Sequence, residues 1–255
     1  MNRLVARAHG VRRGLGQLRE ARMPWLIAAL VLAIQAGVEA GGGYLRHPEW
    51  FEWFGLSRAG VLRGWLWQPL SYALLHGSWA HAILNVVCLL LLGTRVEHVL
   101  GSRRLVRAMV ASILGGAAGH LLLAVEKDLT LVGISGAAYG LLLLVTTLSP
   151  DSKMWPLMVS GRWLGVGLLV TTGLLALMDP ALGVPGLADL GRWMSAQGME
   201  AGWKFSHGCH FGGGLAGWLY GRWLLRPRVT LAKLRRERER REKALSTKSK
   251  IPNGE

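Results

Sequence analysis

The chain has 255 residues, 51% hydrophobic and 18% charged, with a net charge of +15. The apolar share is at the high end for a soluble domain, and it is gathered into runs of membrane-spanning length, which leaves little sequence for a separate soluble domain. Its two cysteines, Cys88 and Cys209, both fall inside predicted spans and exclude a disulfide framework; buried, inert thiols are expected.

In chain order, Met1–Met23 is basic, with Arg3, Arg7, Arg12, Arg13, Arg19 and Arg22. The apolar segment that follows has no clear cleavage signature, so it reads as a retained helix rather than a signal peptide. Six spans are predicted at 24–40, 74–94, 105–125, 131–148, 155–178 and 207–225. The first connection, 41–73, carries Tyr44, Trp50, Phe51, Trp53, Phe54, Trp65 and Trp67, a composition suited to the membrane–water interface. Arg95, Arg103 and Arg104 follow the second span, and twelve Lys or Arg lie from Arg222 onward. The third connection, 126–130, and the fourth, 149–154, are short. The fifth, 179–206, is long enough to serve as a lid or an interfacial spacer.

With six crossings, the three basic regions share one side of the membrane. That positive-inside pattern places both termini in the cytoplasm and fits a bacterial inner membrane. The charge therefore reads as topology plus attraction to anionic lipid, with no nucleic-acid partner. The mixed Arg and Glu of Leu231–Leu245 suggest a solvated helix. The expected organisation is a basic segment 1–23, one helical membrane domain 24–225 and a basic tail 226–255.

Polar residues inside spans are costly and are candidates for function. The second span holds His76, His81 and Asn85. On a helix His81 and Asn85 lie about 40° apart and share a face, while His76 lies about 140° from His81 and faces elsewhere. His207 and His210 share a face at the start of the sixth span. His120 and Arg162 look isolated, and His120, near a span end, is expected to be solvated or hydrogen-bonded rather than functional. Ser135 lies in Gly133-Ile134-Ser135-Gly136, where it is either packing glue or a nucleophile. The predicted topology puts His81, Ser135 and His210 at similar depth in the outer half of the membrane. Gly136 and Gly140, and Gly213, Gly217 and Gly221, form small-residue stripes that let helices approach closely. If the stripes face one another, Ser135 and His210 come within hydrogen-bond reach.

A serine hydroxyl needs a base to take its proton, and a neutral imidazole can do so and later protonate the leaving amine. These spans hold no Asp or Glu at matching depth, and nothing ties Glu39 to His210, so a dyad is expected rather than a triad. Tyr139, one turn after Ser135, can stack on His210. The Ser135 amide, Asn85 and His81 can donate to an oxyanion. A competing zinc reading would use His76, His81, His207 and His210, but the chain lacks His-Glu-x-x-His.

Three segments together resemble the rhomboid family of intramembrane serine proteases. The second span has His76, His81 and Asn85 at the family spacing and is followed by Glu97-His98-Val99-Leu100-Gly101. The fourth has Gly133-Ile134-Ser135-Gly136 and then Tyr139-Gly140; the sixth has His210-Phe211-Gly212-Gly213 and Gly217. The resemblance implies an all-α membrane protein built as a six-transmembrane-helix bundle. It also implies an enzyme that uses no cofactor or metal and cleaves transmembrane protein substrates near the outer membrane face. Ser135 would be the nucleophile and His210 the base. His81, Asn85 and the Ser135 amide would receive the oxyanion, with Tyr139, Gly133, Gly136 and His76 in support, His76 by retaining water. The alternative is a catalytically silent rhomboid-like protein that binds membrane clients; such a protein usually loses the Ser or the His, and both are present. One departure is Trp67-Gln68, where many family members have Trp-Arg, which puts the anchoring of the first loop in question.

Overall fold

A computed structural model of the chain describes residues 21–123, 130–154, 157–198, 206–227 and 231–248. Most of the predicted segment 1–23 and of the third connection, and parts of the fifth connection and the tail, lie outside the described residues. The chain divides between Arg222 and Trp223 into two compact units.

The first unit is helical. Its long helices are α1 (Arg22–Ala40), α6 (Trp79–Leu100), α7 (Ser102–Leu123), α8 (Ser135–Leu148), α9 (Gly161–Leu177) and α11 (His207–Leu224). These occupy the six segments predicted as spans. Three of them, α1, α6 and α7, are long and apolar enough to cross a membrane; α8 and α9 are apolar but shorter. Four short helices, α2 (Gly43–Arg46), α3 (Pro48–Phe54), α4 (Arg58–Leu62) and α5 (Gln68–Ser71), fill the first connection, and α10 (Leu187–Ala196) lies in the fifth. In the second unit α12 (Leu231–Lys248) exposes residues 234–242, as a solvated helix should.

Polarity is arranged for an apolar solvent. Gln35, Gln68, Asn85, Ser112, His120 and Thr146 are buried, whereas Leu26, Leu30, Leu84, Leu91, Trp163 and Val170 face outward. On α1 the buried Pro24, Ala28, Val31, Gln35 and Val38 recur at steps of four and three, the stripe of a helix packed on one side. That stripe meets α6, where Gly93 lies against Pro24. The lower ends of α1, α6 and α7 are tied by Glu97, whose carboxylate accepts from Met23 N at 3.2 Å and from Ser102 Oγ. Gly101, at φ 84°, makes the sharp turn between α6 and α7 that a side chain would resist.

Three predicted spans start later than expected. The second span starts at Trp79, not Leu74, because Tyr72–Leu74 forms a 3₁₀ turn and the Ser78 hydroxyl caps α6 by accepting from His81 N at 3.2 Å. The fourth starts at Ser135, not Leu131. Leu131 instead bridges to Leu56 through two backbone hydrogen bonds of 2.8 and 2.9 Å, and Gly133, at φ 113°, turns the chain into the helix. The fifth starts at Gly161, after a small hairpin of β1 (Lys153–Met154) and β2 (Val159–Ser160). Arg162 thereby stands at the exposed start of α9, paired with Asp151 at 3.2 Å, and not within the span.

The first loop is anchored by Gln68 in spite of its departure from Trp-Arg. Fully buried, Gln68 accepts from Ser57 N at 3.1 Å and donates to Glu52 O at 2.8 Å. Trp67 donates to Trp53 O at 2.8 Å, and Trp53, Trp65 and Trp67 stack with centroids 5.0 to 6.2 Å apart. A neutral amide satisfies one donor and one acceptor of the loop backbone. Gln68→Ala strands both, and is expected to cost about 2–4 kcal/mol, from about 1–3 kcal/mol per buried unsatisfied group. Thermal unfolding in detergent checks this, with exposed Gln197→Ala as the silent control.

Candidate active site

Three helix starts bring the polar residues together. α6 begins two residues before His81, α8 begins at Ser135, and α11 begins at His207. Residues near helix starts lie at one end of the bundle, and amides in the first turn lack intrahelical partners. The Ser135 N–H is such an amide, on the positive end of the α8 dipole.

Glycine sets the separation of α8 and α11. A Cβ on Gly213 would fall 2.8 Å from the Gly136 carbonyl carbon, and one on Gly217 2.5 Å from that of Gly140. The helix backbones are therefore in direct contact, stripe on stripe. Across that seam Ser135 Oγ and His210 Nε2 are 2.9 Å apart. The Tyr139 ring stacks on the His210 ring, with centroids 4.3 Å apart and planes 10° from parallel. The stack fixes the imidazole plane without a carboxylate partner.

His81 and Asn85 close the other side. Both flank Gly133: a Cβ there would meet His81 Nε2 at 2.8 Å and Asn85 Nδ2 at 3.5 Å. The Asn85 Nδ2 donor is buried and has no hydrogen-bond partner among the described residues. A cavity of about 620 Å³ is lined by His81, Asn85, Ser135, Tyr139, His207 and His210, along with Cys88, His120, Asp179 and Ser206. A hydroxyl, an imidazole and a buried amide donor thus face one space, an arrangement suited to acyl transfer.

The matched region decides the family. The Rhomboid domain matches residues 63–227, well over half of the chain. The chain belongs to the rhomboid family. It is similar to RHOMBOID-like protein 5 of Arabidopsis thaliana, 36% identical over 34% of the chain and 28% of the relative. It is also similar to Rhomboid-like protease 5 of Toxoplasma gondii, 32% identical over 58% of the chain and 15% of the relative. Rhomboid-related protein 3 of Homo sapiens is 34% identical over 46% of the chain and 30% of the relative. The chain thus spans less than a third of the length of these relatives. With its apolar helices, this rhomboid-family chain is an integral membrane protein in contact with the lipid bilayer.

His76 departs from its expected position. Helical geometry turned it away from His81, but it precedes α6, and its ring meets the His81 ring edge-on at 4.9 Å. It is buried behind His81 and off the cavity wall. Among the described residues no three His, Cys, Asp or Glu side chains converge as a metal site, so the zinc reading gains nothing from the fold. His120 is buried and hydrogen-bonded to Ser206, not solvated. Cys209 is buried, with the Tyr72 hydroxyl 3.8 Å from its sulfur. Ser206 was missed as a contributor; a serine before the first residue of a glycine-rich helix is an N-cap signal, readable in the sequence.

Proposed function

We propose that this rhomboid-family protein is an intramembrane serine protease that cleaves membrane-protein substrates near the outer membrane face with a Ser135–His210 dyad. The observation that carries the reading is the 2.9 Å approach of Ser135 Oγ to His210 Nε2 in a cavity also lined by Asn85, whose buried Nδ2 has no partner among the described residues. His210 Nε2 takes the hydroxyl proton as Ser135 Oγ attacks the scissile carbonyl. The Ser135 N–H, the Asn85 amide and His81 receive the negative oxygen. His210 then delivers its proton to the leaving amine, and the same ring activates the water that releases the acyl group. The basic termini would be cytoplasmic, in a bacterial inner membrane, with the substrate approaching from the bilayer.

Labelling with a fluorophosphonate probe tests the reading. The wild-type protein should be labelled at Ser135, and both Ser135→Ala and His210→Ala should not. Labelling that survives in Ser135→Ala, or no labelling of a folded wild type, overturns the protease assignment in favour of a silent client-binding protein. Asn85→Ala should lower kcat for substrate cleavage by about 10²–10³-fold with little change in KM, as loss of an oxyanion donor does. An equal rise in KM would instead mark Asn85 as a substrate-binding residue.

A further inference from the structure

The contact between α7 and α11 is lined with glycine and small side chains, Ala216 and Cys209 among them. A Cβ on Gly115 would lie 2.7 Å from the Gly212 carbonyl oxygen, and one on Gly208 2.7 Å from that of Gly119. Such a seam allows close approach, but it offers few side-chain knobs against sliding of one helix along the other. At the end nearest the cavity the seam closes on a polar clip. His120 Nδ1, on α7, lies 2.9 Å from Ser206 Oγ. The same hydroxyl accepts from Cys209 N at 3.3 Å, and the Ser206 carbonyl accepts from His210 N at 3.1 Å. Ser206 is therefore the N-cap of the helix that carries His210, and a buried imidazole of the neighbouring helix holds it.

We propose that His120 is a positioning residue: by holding Ser206 it fixes the register of α11 against α7, and so the approach of His210 to Ser135. This rests on the protease reading of Ser135 and His210. The bond from His120 to Ser206 reaches His210 through the cap of α11. A slip of about 1 Å between the helices misaligns the 2.9 Å bond of Ser135 and His210, and misplacement on that scale can cost about 10²-fold in rate.

The test compares His120→Ala, Ser206→Ala, the double variant, His120→Asn and Ser206→Asn in the full chain. Asn at 120 places an amide where Nδ1 stood, and Asn at 206 preserves the cap. The two Ala variants should each lower kcat by about 10- to 100-fold with KM within about twofold. The double variant should be no worse than Ser206→Ala, which already loses both the His120 bond and the cap on Cys209 N. Both Asn variants should recover most of the rate. A readout that needs no turnover is the ¹⁵N signal of the His210 ring, which reports the Ser135 hydrogen bond. It should shift in His120→Ala and stay in place in His120→Asn. An unmoved signal, single effects within about twofold of wild type, or losses that multiply overturn the proposal. A shifted signal in a wild type that cleaves nothing retains the positioning role and removes the protease reading alone. If His120→Ala does not fold, the Ser206 pair and His120→Asn still decide.

Discussion

Ser135→Ala is expected to lower cleavage of a single-span substrate by about three orders of magnitude or more while leaving the fold intact. The hydroxyl is not holding α8 together. Ile134 is the cap residue, without a side-chain bond, and Ser135 is the first helical position, where Ala is well tolerated. What the hydroxyl does make is the 2.9 Å bond to His210, whose loss costs stability about 1 kcal/mol. A small change in stability paired with a large loss of rate separates a nucleophile from packing glue, the alternative that the sequence left open. His210→Ala should cost as much, and Ser135→Ala/His210→Ala no more than either, because the two act as one unit. Cleavage that persists in Ser135→Ala, or single losses that multiply in the double variant, would remove the dyad.

Much of this arrangement was legible because membrane depth is a one-dimensional coordinate. Hydropathy located the six helices, and alternation along the chain makes the second, fourth and sixth run the same way, so His81, Ser135 and His210 could be placed at a common level. Glycines at intervals of four marked the faces on which α8 and α11 meet. Hydropathy does not distinguish an apolar extended segment from an apolar helix, which is why Leu131–Ile134 was read as helix. The same blindness carried the second span back to Leu74 and turned His76 away from the His81 it touches. The interactions that were not legible end on backbone. Gln68 bonds to Ser57 N and Glu52 O. Main-chain partners leave no residue type to recognise, so a departure such as Gln for Arg cannot be weighed until the loop path is known.

Gly217→Ala should produce a large structural effect for a single methyl in the bundle core. The added Cβ would stand 2.5 Å from the Gly140 carbonyl carbon and 2.6 Å from its Cα, where carbon atoms rest about 3.5–4.0 Å apart. The obstacle is backbone, not the end of a flexible side chain, so the two helices must separate by about 1 Å. Overpacking on this scale costs about 1–3 kcal/mol. The separation is carried along rigid helices to Ser135 and His210, so cleavage should fall by about 10²-fold even where the protein remains folded. A neighbour on the same helix supplies the contrast. A Cβ on Gly214 would meet only the Leu143 and Leu169 methyl groups, each at 3.5 Å, an ordinary contact. Gly214→Ala should therefore retain activity and gain up to about 1 kcal/mol from helix propensity. Gly167→Ala, on α9 with nothing within 4 Å, should behave the same way. Thermal unfolding and cleavage assays on the three variants separate the causes. If Gly217→Ala and Gly214→Ala respond alike, helix propensity rather than the backbone seam governs α11, and the seam does not set the distance between Ser135 and His210.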